Sequence, residues 1–336
     1  MSAPMPVVEA GGRTNAVLSV DDLCVTFVNG RARARALRHA SFDVPEGHIV
    51  GLVGESGSGK TATALALLGL HDRQHTEISG AARLDGRDLL TLDDAALREV
   101  RGRQIGMVFQ EPMTALNPLV RIGVQVREVL MAHTGMSKQE ASKRTVEVLG
   151  EVGIPNPTDR AKAYPHQLSG GLRQRAMIAS AIVCQPRVLL ADEPTTALDV
   201  TIQAQILRLL RGLATSSGMS VVLVTHDLGV VAETCDDVVV MYAGEVVERG
   251  ATATVLDDPR HPYTERLLEA RPRLDGWGQR LASIPGRVPP AETDRTGCAF
   301  MPRCPRATDA CAAPQALIET PGGRRARCWR ALEELS

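Results

Sequence analysis

GESGSGKT, residues 54–61, is the stretch on which the fold turns. It has the form G-x-x-x-x-G-K-[ST], with the apolar run IVGLV (49–53) before it and the Ala/Leu-rich TATALALLGL (61–70) after it. A buried strand, a glycine-rich loop and a helix are the context this motif requires. Glycines let successive backbone N–H groups turn inward around phosphate oxygens, and the helix N-terminus adds its dipole. Gly54, Ser56, Gly57, Ser58 and Gly59 are therefore the expected phosphate cradle. Lys60 is expected to reach the β- and γ-phosphates and Thr61 to ligate Mg²⁺. Only four of the 38 basic residues are lysines, which makes a lysine at this position informative.

Outward from the loop, the pattern predicts an α/β protein. Residues 17–42 read as β-type segments broken by Asn29-Gly30, and Asp85-Gly86 suggests a hairpin. Residues 112–164 lose strand character and show helical periodicity (VQVREVLMAH, KQEASKRTVEVLGEVG), which predicts an inserted helical subdomain at about 112–180. Apolar runs at 188–191, 220–225 and 238–242 then alternate with helical segments, as in a parallel sheet. After about Pro259 the texture changes to Pro, Gly, Arg and Cys. The expected organisation is a loose N-terminus (1–16), a nucleotide-binding domain (17–258) and a separate small Cys-rich C-terminal module (259–336).

Composition narrows the function. The 336 residues suffice for about two domains. Lys+Arg 38 against Asp+Glu 39 leaves no global basic field for nucleic acid, and nine aromatics offer no stacking surface for single strands. No run approaches the roughly 18–20 apolar residues that span a bilayer, and MSAPMPVVEAGG lacks the form of an export signal. The expectation is a soluble chain on the cytoplasmic side, reaching a membrane through partners.

Two further motifs belong to phosphate chemistry. VLLADE (188–193) is a buried strand ending in two carboxylates. Asp192 there can hold Mg²⁺ and Glu193 can polarise an attacking water. LSGGLRQR (168–175) sets Ser169, Gly170 and Gly171 at the start of a helix, a second N-terminal anion site. With Gln110 after a strand (IGMVFQ), the ALD of residues 197–199 and His226 after a strand (VLVTHD), the set resembles an ABC ATPase in motif order. One departure is Leu172, where many signatures have Gln.

The resemblance implies a P-loop core with an antiparallel β subdomain and the helical insertion. It implies that Phe27 stacks on adenine, that Gln110 touches Mg²⁺ or water, and that His226 contacts the γ-phosphate. It further implies that Ser169, Gly170 and Gly171 act on ATP bound by a second ATPase subunit, identical or related, with Asp199 at the interface. FQEPMTALNP (109–118), HPYTERLLEA (261–270), IPGRVPP (284–290) and GCAFMPRCP (297–305) look like the ATPase subunits of oligopeptide and dipeptide ABC importers. Such subunits work with two transmembrane permeases and an extracytoplasmic substrate-binding protein. Nickel and glutathione importers of the same family, and a redox-regulated ATPase outside transport, are the alternatives.

Cys298, Cys304, Cys311 and Cys328 supply four thiolates, enough for Zn²⁺ or a [4Fe–4S] cluster, although the short C-x-x-C pairs of many zinc sites are missing. The resemblance points to the iron–sulfur cluster; Zn²⁺ and free thiols stay open. The arginines at 31, 33, 35 and 38 and at 324, 325, 327 and 330 fit either a solvated surface or contact with lipid headgroups, nucleotide or a partner.

Overall fold

The computed structural model describes residues 16–196, 198–270 and 283–333. The loose N-terminus expected for residues 1–16 therefore lies outside the described residues, apart from Ala16, which opens a strand. Strands β1 (Ala16–Asn29) and β2 (Ala32–Pro45) form a hairpin closed by Gly30-Arg31, with Gly30 at φ +59°. With β4 (Thr76–Leu84) and β5 (Arg87–Asp88) they make an antiparallel sheet of order β2-β1-β4-β5. The hairpin expected at Asp85-Gly86 joins its last two strands.

The second sheet carries the site. β3 (Ile49–Val53), β6 (Ile105–Val108), β7 (Val188–Asp192), β8 (Ser220–Thr225) and β9 (Asp237–Tyr242) run parallel. β10 (Glu245–Ala251), β12 (Arg324–Ala326) and β11 (Ile318–Thr320) continue it antiparallel, giving the order β11-β12-β10-β9-β3-β8-β7-β6. Every residue of β3, β7 and β8 is buried, because both faces of a parallel sheet are covered. On β3 the faces alternate: Ile49 and Val53 join an apolar cluster under the helices, while Val50 and Leu52 join one with α1 (Lys60–Leu67) and the antiparallel sheet.

After α2 (Asp94–Val100) comes the helical insertion: α3 (Pro112–Ala115), α4 (Ile122–His133), α5 (Lys138–Glu151), α6 (Pro157–Arg160) and α7 (Gly170–Ile182). α4 buries Ile122, Val126 and Leu130, one face at helical spacing. α5 opens with a capping box in which Ser137 and Glu140 satisfy each other's backbone N–H groups. Helices α8 (Val200–Ser217) and α9 (Leu228–Thr234) link β7, β8 and β9, and α10 (Thr252–Asp257) follows β10.

The C-terminal segment, with α11 (Pro262–Glu269) and α12 (Arg330–Glu333), is not laid apart from this body. β12 pairs with β10, and Tyr263, Ala299 and Phe300 are buried in the cluster beneath the helices. Too few apolar side chains are available in 283–333 to enclose a core alone, so they complete an existing one. Arg38 and Arg324, two of the arginines read as surface, are 6% and 3% exposed; Arg324 is held by Asp258 and the carbonyl of Thr254.

Candidate nucleotide site

Register brings the chemistry together. Val53 pairs with Thr225, Asp192 with Val224, and Val108 with Ala191. The residues just past these strand ends, Gly54, His226, Glu193 and Gln110, therefore emerge along one carboxyl edge, where open α/β sheets bind ligands. Gly59, the N-cap of α1, has φ +100°, and a Cβ there would lie 2.6 Å from Leu37 Cδ2 and 2.8 Å from the Ala36 carbonyl oxygen, so only glycine fits.

Lys60 is buried, and its Nζ donates to the Gly54 and Glu55 carbonyls at 2.8 and 3.0 Å and to Ser58 Oγ at 3.4 Å. Burial lowers the Lys60 pKa, partly offset by Glu193, Asp192 and Glu55. Thr61 Oγ1 donates to Asp192 Oδ1 at 3.3 Å. Burial raises Asp192, the Thr61 bond opposes this, and Glu193 adds to it. Two hard oxygen donors side by side suit Mg²⁺, which binds proteins through one or two carboxylates plus substrate phosphates.

Glu193 is the hub. Its Oε2 accepts from Gln110 Nε2 at 3.1 Å and Thr196 Oγ1 at 2.8 Å, and its Oε1 lies 3.2 Å from His226 Nδ1. Burial pushes its pKa up, but the Thr196 and His226 hydrogen bonds and the charges of His226 and Lys60 outweigh this and hold it below the ordinary value. Its φ of +43° is uncommon for a non-glycine residue and is held in part by the bond from its N–H to the Val224 carbonyl.

The remaining sequence-predicted residues stand away from this network. Phe27 is 38% exposed and packs edge-on against His71 at 5.3 Å. Ser169 caps α7, accepting from Leu172 N–H, and Asp199 caps α8, accepting from Ile202 N–H at 2.9 Å. Gly170 and Gly171 pack beside Leu198 and Ile202, so signature and post-β7 loop touch within one chain. Ala197 lies outside the described residues. Sequence reasoning missed Thr196, which no motif flagged, and the grip on Glu55 from outside the loop: Tyr263 Oη accepts its N–H, and Arg303 pairs with its carboxylate.

The four C-terminal cysteines, expected to hold a metal centre, lie together in the structure. Cys298, Cys304, Cys311 and Cys328 line one cavity, yet among the described residues no group of three or more His, Cys, Asp or Glu is arranged to hold a metal ion, and all four thiols are free. Burial pushes Cys298 up to about 11 and raises Cys304 and Cys328, with neighbouring cysteines adding to the shift.

A strand–loop–helix phosphate cradle beside paired carboxylates, interrupted by a helical insertion with its own Ser-Gly-Gly helix start, defines a cassette-type ATPase. The ABC transporter family profile matches residues 37–196, and that of the oligopeptide/dipeptide transporter C-terminal region matches 247–311. The chain is 47% identical over 336 residues to the oligopeptide transport ATP-binding protein OppD of Salmonella typhimurium, covering all of both chains. It is 46% identical over 320 residues to the dipeptide transport ATP-binding protein DppD of Escherichia coli, covering 95% of this chain and 98% of that one. Among solved structures, the dimeric post-hydrolysis ATP-binding cassette MJ0796 bound to ADP and Pi superposes with a TM-score of 0.63 at 31% identity, over 70% of this chain and 98% of that one. The chain belongs to the family of ABC transporter ATPases, in the branch of oligopeptide and dipeptide transport ATP-binding proteins.

Proposed function

We propose that this chain is the ATP-hydrolysing subunit that powers import of dipeptides or oligopeptides through a membrane ABC transporter. The observation that supports it most is the convergence of Lys60, Asp192, Glu193, Gln110 and His226 on one sheet edge. It occurs in a chain that matches peptide transport ATPases from end to end. Relatives named for peptides and dipeptides favour those cargoes over nickel or glutathione.

In this reading Phe27 stacks on adenine, and the loop of Gly54, Ser56, Gly57, Ser58 and Gly59 wraps the phosphates. Lys60 turns from the loop carbonyls to the β- and γ-phosphate oxygens. Thr61 and Asp192, with Gln110, hold Mg²⁺, which when bound neutralises phosphate charge. Glu193, ionised at neutral pH, takes a proton from the attacking water, and His226 orients Glu193 while contacting the γ-phosphate. Ser169, Gly170 and Gly171 act on ATP held by a second cassette, identical or related, with Asp199 at the interface; the dimeric form of the ADP-bound neighbour supports this. Two permeases and an extracytoplasmic binding protein complete the assembly. Among the described residues no helix is long and apolar enough to cross a membrane, which fits a peripheral place on the cytoplasmic side.

The domain reading is a cassette over 17–258 followed by a C-terminal segment, 259–336, whose cysteines hold a structural [4Fe–4S] cluster. The donor set fits. Four thiols line one cavity, and backbone N–H groups of Phe300 and Met301 point to Cys298, that of Arg306 to Cys304, and those of Arg330 and Ala331 to Cys328. Trp329 Nε1 donates to Cys311 Sγ at 3.2 Å. Such donors stabilise thiolates, and thiols spread around a cavity suit a cluster better than a single Zn²⁺.

The test is reconstitution in vesicles with the permeases and binding protein. ATP turnover should rise when peptide is supplied to the binding protein. Turnover indifferent to peptide would sink the substrate reading.

A further inference from the structure

Of three motifs that the nucleotide chemistry leaves unused, HPYTERLLEA and GCAFMPRCP meet at one residue of the phosphate loop, and IPGRVPP holds the arginine that reaches it. Glu55 donates its N–H to Tyr263 Oη at 2.9 Å. Both its carboxylate oxygens accept from Arg303, Oε2 from Nη1 at 2.6 Å and Oε1 from Nη2 at 3.0 Å. Its carbonyl accepts from Lys60 Nζ at 3.0 Å and from Ser58 N–H at 3.1 Å. Every polar group of Glu55 is thus engaged, two of them by residues more than 200 positions away.

Arg303 is built into place. Its side chain is 5% exposed, and it also donates to the carbonyls of Pro285 at 2.8 Å and Ile284 at 3.1 Å and to Tyr242 Oη at 3.2 Å. The rings of Tyr242 and Phe300 lie 5.7 and 6.0 Å from its guanidinium carbon. Phe300 in turn packs against Tyr263 and Tyr242 with centroids 5.3 and 5.2 Å apart. A bidentate pair with one partner this buried is stiff, and removing the arginine leaves the charge of the half-buried Glu55 carboxylate uncompensated.

That charge matters because of where it sits. Glu55 follows Gly54 in a loop that receives a polyanion, and a bare carboxylate there repels phosphate. We propose that Arg303, together with Tyr263, is a positioning residue of the ATP site: it cancels the Glu55 charge and fixes the loop, so that the C-terminal segment sets nucleotide affinity. This rests on reading residues 54–61 as the nucleotide loop.

The test measures the MgATP dissociation constant of the full chain by calorimetry. Arg303→Met should raise it about ten- to a hundredfold, the worth of one lost charge-assisted contact. Adding Glu55→Gln to Arg303→Met should return it to within about threefold of the starting protein, because the repelling charge is gone. A merely structural role predicts no such rescue. Wild-type affinity in Arg303→Met, or no recovery in the double variant, overturns the proposal. If Arg303→Met fails to fold, Tyr263→Phe keeps the ring but loses the hydroxyl that accepts Glu55 N–H. It should raise the constant by about threefold or more, and wild-type affinity there is equally contrary. Lys60→Ala separates the two readings. ATP binding unchanged in Lys60→Ala refutes the nucleotide loop itself, whereas loss there with normal Arg303→Met and Tyr263→Phe refutes only the positioning role.

Discussion

Replacing Glu193 by Gln isolates the proton-accepting step. The two side chains have the same shape, and the surrounding hydrogen bonds can be kept. The amide oxygen can accept from Gln110 and Thr196, and the amide NH₂ can donate to His226 Nδ1 when that ring carries its proton on Nε2. The φ of +43° at this position is a backbone property and is unaltered. The fold should therefore lose no more than about 1 kcal/mol, the worth of one weakened charge-assisted bond. The base is lost outright, and a positioned general base contributes about 10²–10⁴ in rate, or about 3–5 kcal/mol of barrier. Removing a negative charge beside the phosphates leaves ATP affinity equal or tighter. Phosphate release and nucleotide binding, measured on the same preparation, give both halves. Hydrolysis should fall at least a hundredfold with ATP still bound. Turnover within about tenfold of normal would refute Glu193 as the base.

Other perturbations address the framework. Phe300→Ala removes a buried ring that packs on Tyr242 and Tyr263, and should cost about 3–5 kcal/mol in urea unfolding; a loss under about 1 kcal/mol would mean the C-terminal segment is not welded to the cassette core. Gly171→Val sets a Cβ 2.8 Å from Ile202 Cγ2, so turnover should drop about tenfold or more while ATP binding to the loop persists, and normal turnover would count against the signature role. Burial pushes the Cys235 thiol up to about 12, so it stays neutral through the physiological range and becomes a thiolate only as pH approaches that value. Alkylation at about pH 8 followed by mass spectrometry should leave Cys235 unlabelled in the folded protein and labelled in urea; labelling of the native chain would contradict this. Anaerobic purification should yield iron and acid-labile sulfide in equal amounts, lost in Cys298→Ser, and a colourless protein without either would remove the cluster.

Much of this site was legible because its residues sit at strand ends. A short apolar run followed by Gly54 or by Glu193 marks a parallel strand and what projects from it, and parallel register then aligns the tips without further information. Lys60, Thr61 and Asp192 follow from such local patterns, whereas Gln110 and His226 are picked out only by the resemblance to ABC ATPases. The grip on Glu55 did not, because no local periodicity links residue 55 to Tyr263 or Arg303, more than 200 positions away. The packing of the C-terminal segment onto the cassette was hidden for a related reason. Its Pro-, Gly- and Arg-rich texture hides the fact that Tyr263 and Phe300 are core residues of the preceding body. The buried arginines mislead in the same way: charge runs suggest surface until a partner such as Asp258 for Arg324 is found.

The structure of Glu193→Gln with MgATP tests the central claim most directly. The triphosphate should lie within the loop of Gly54 to Thr61, its γ-phosphate between Lys60 and His226, with Ser169 and Gly171 of a second cassette closing over it. Nucleotide bound elsewhere, or a γ-phosphate out of reach of Lys60, would contradict it.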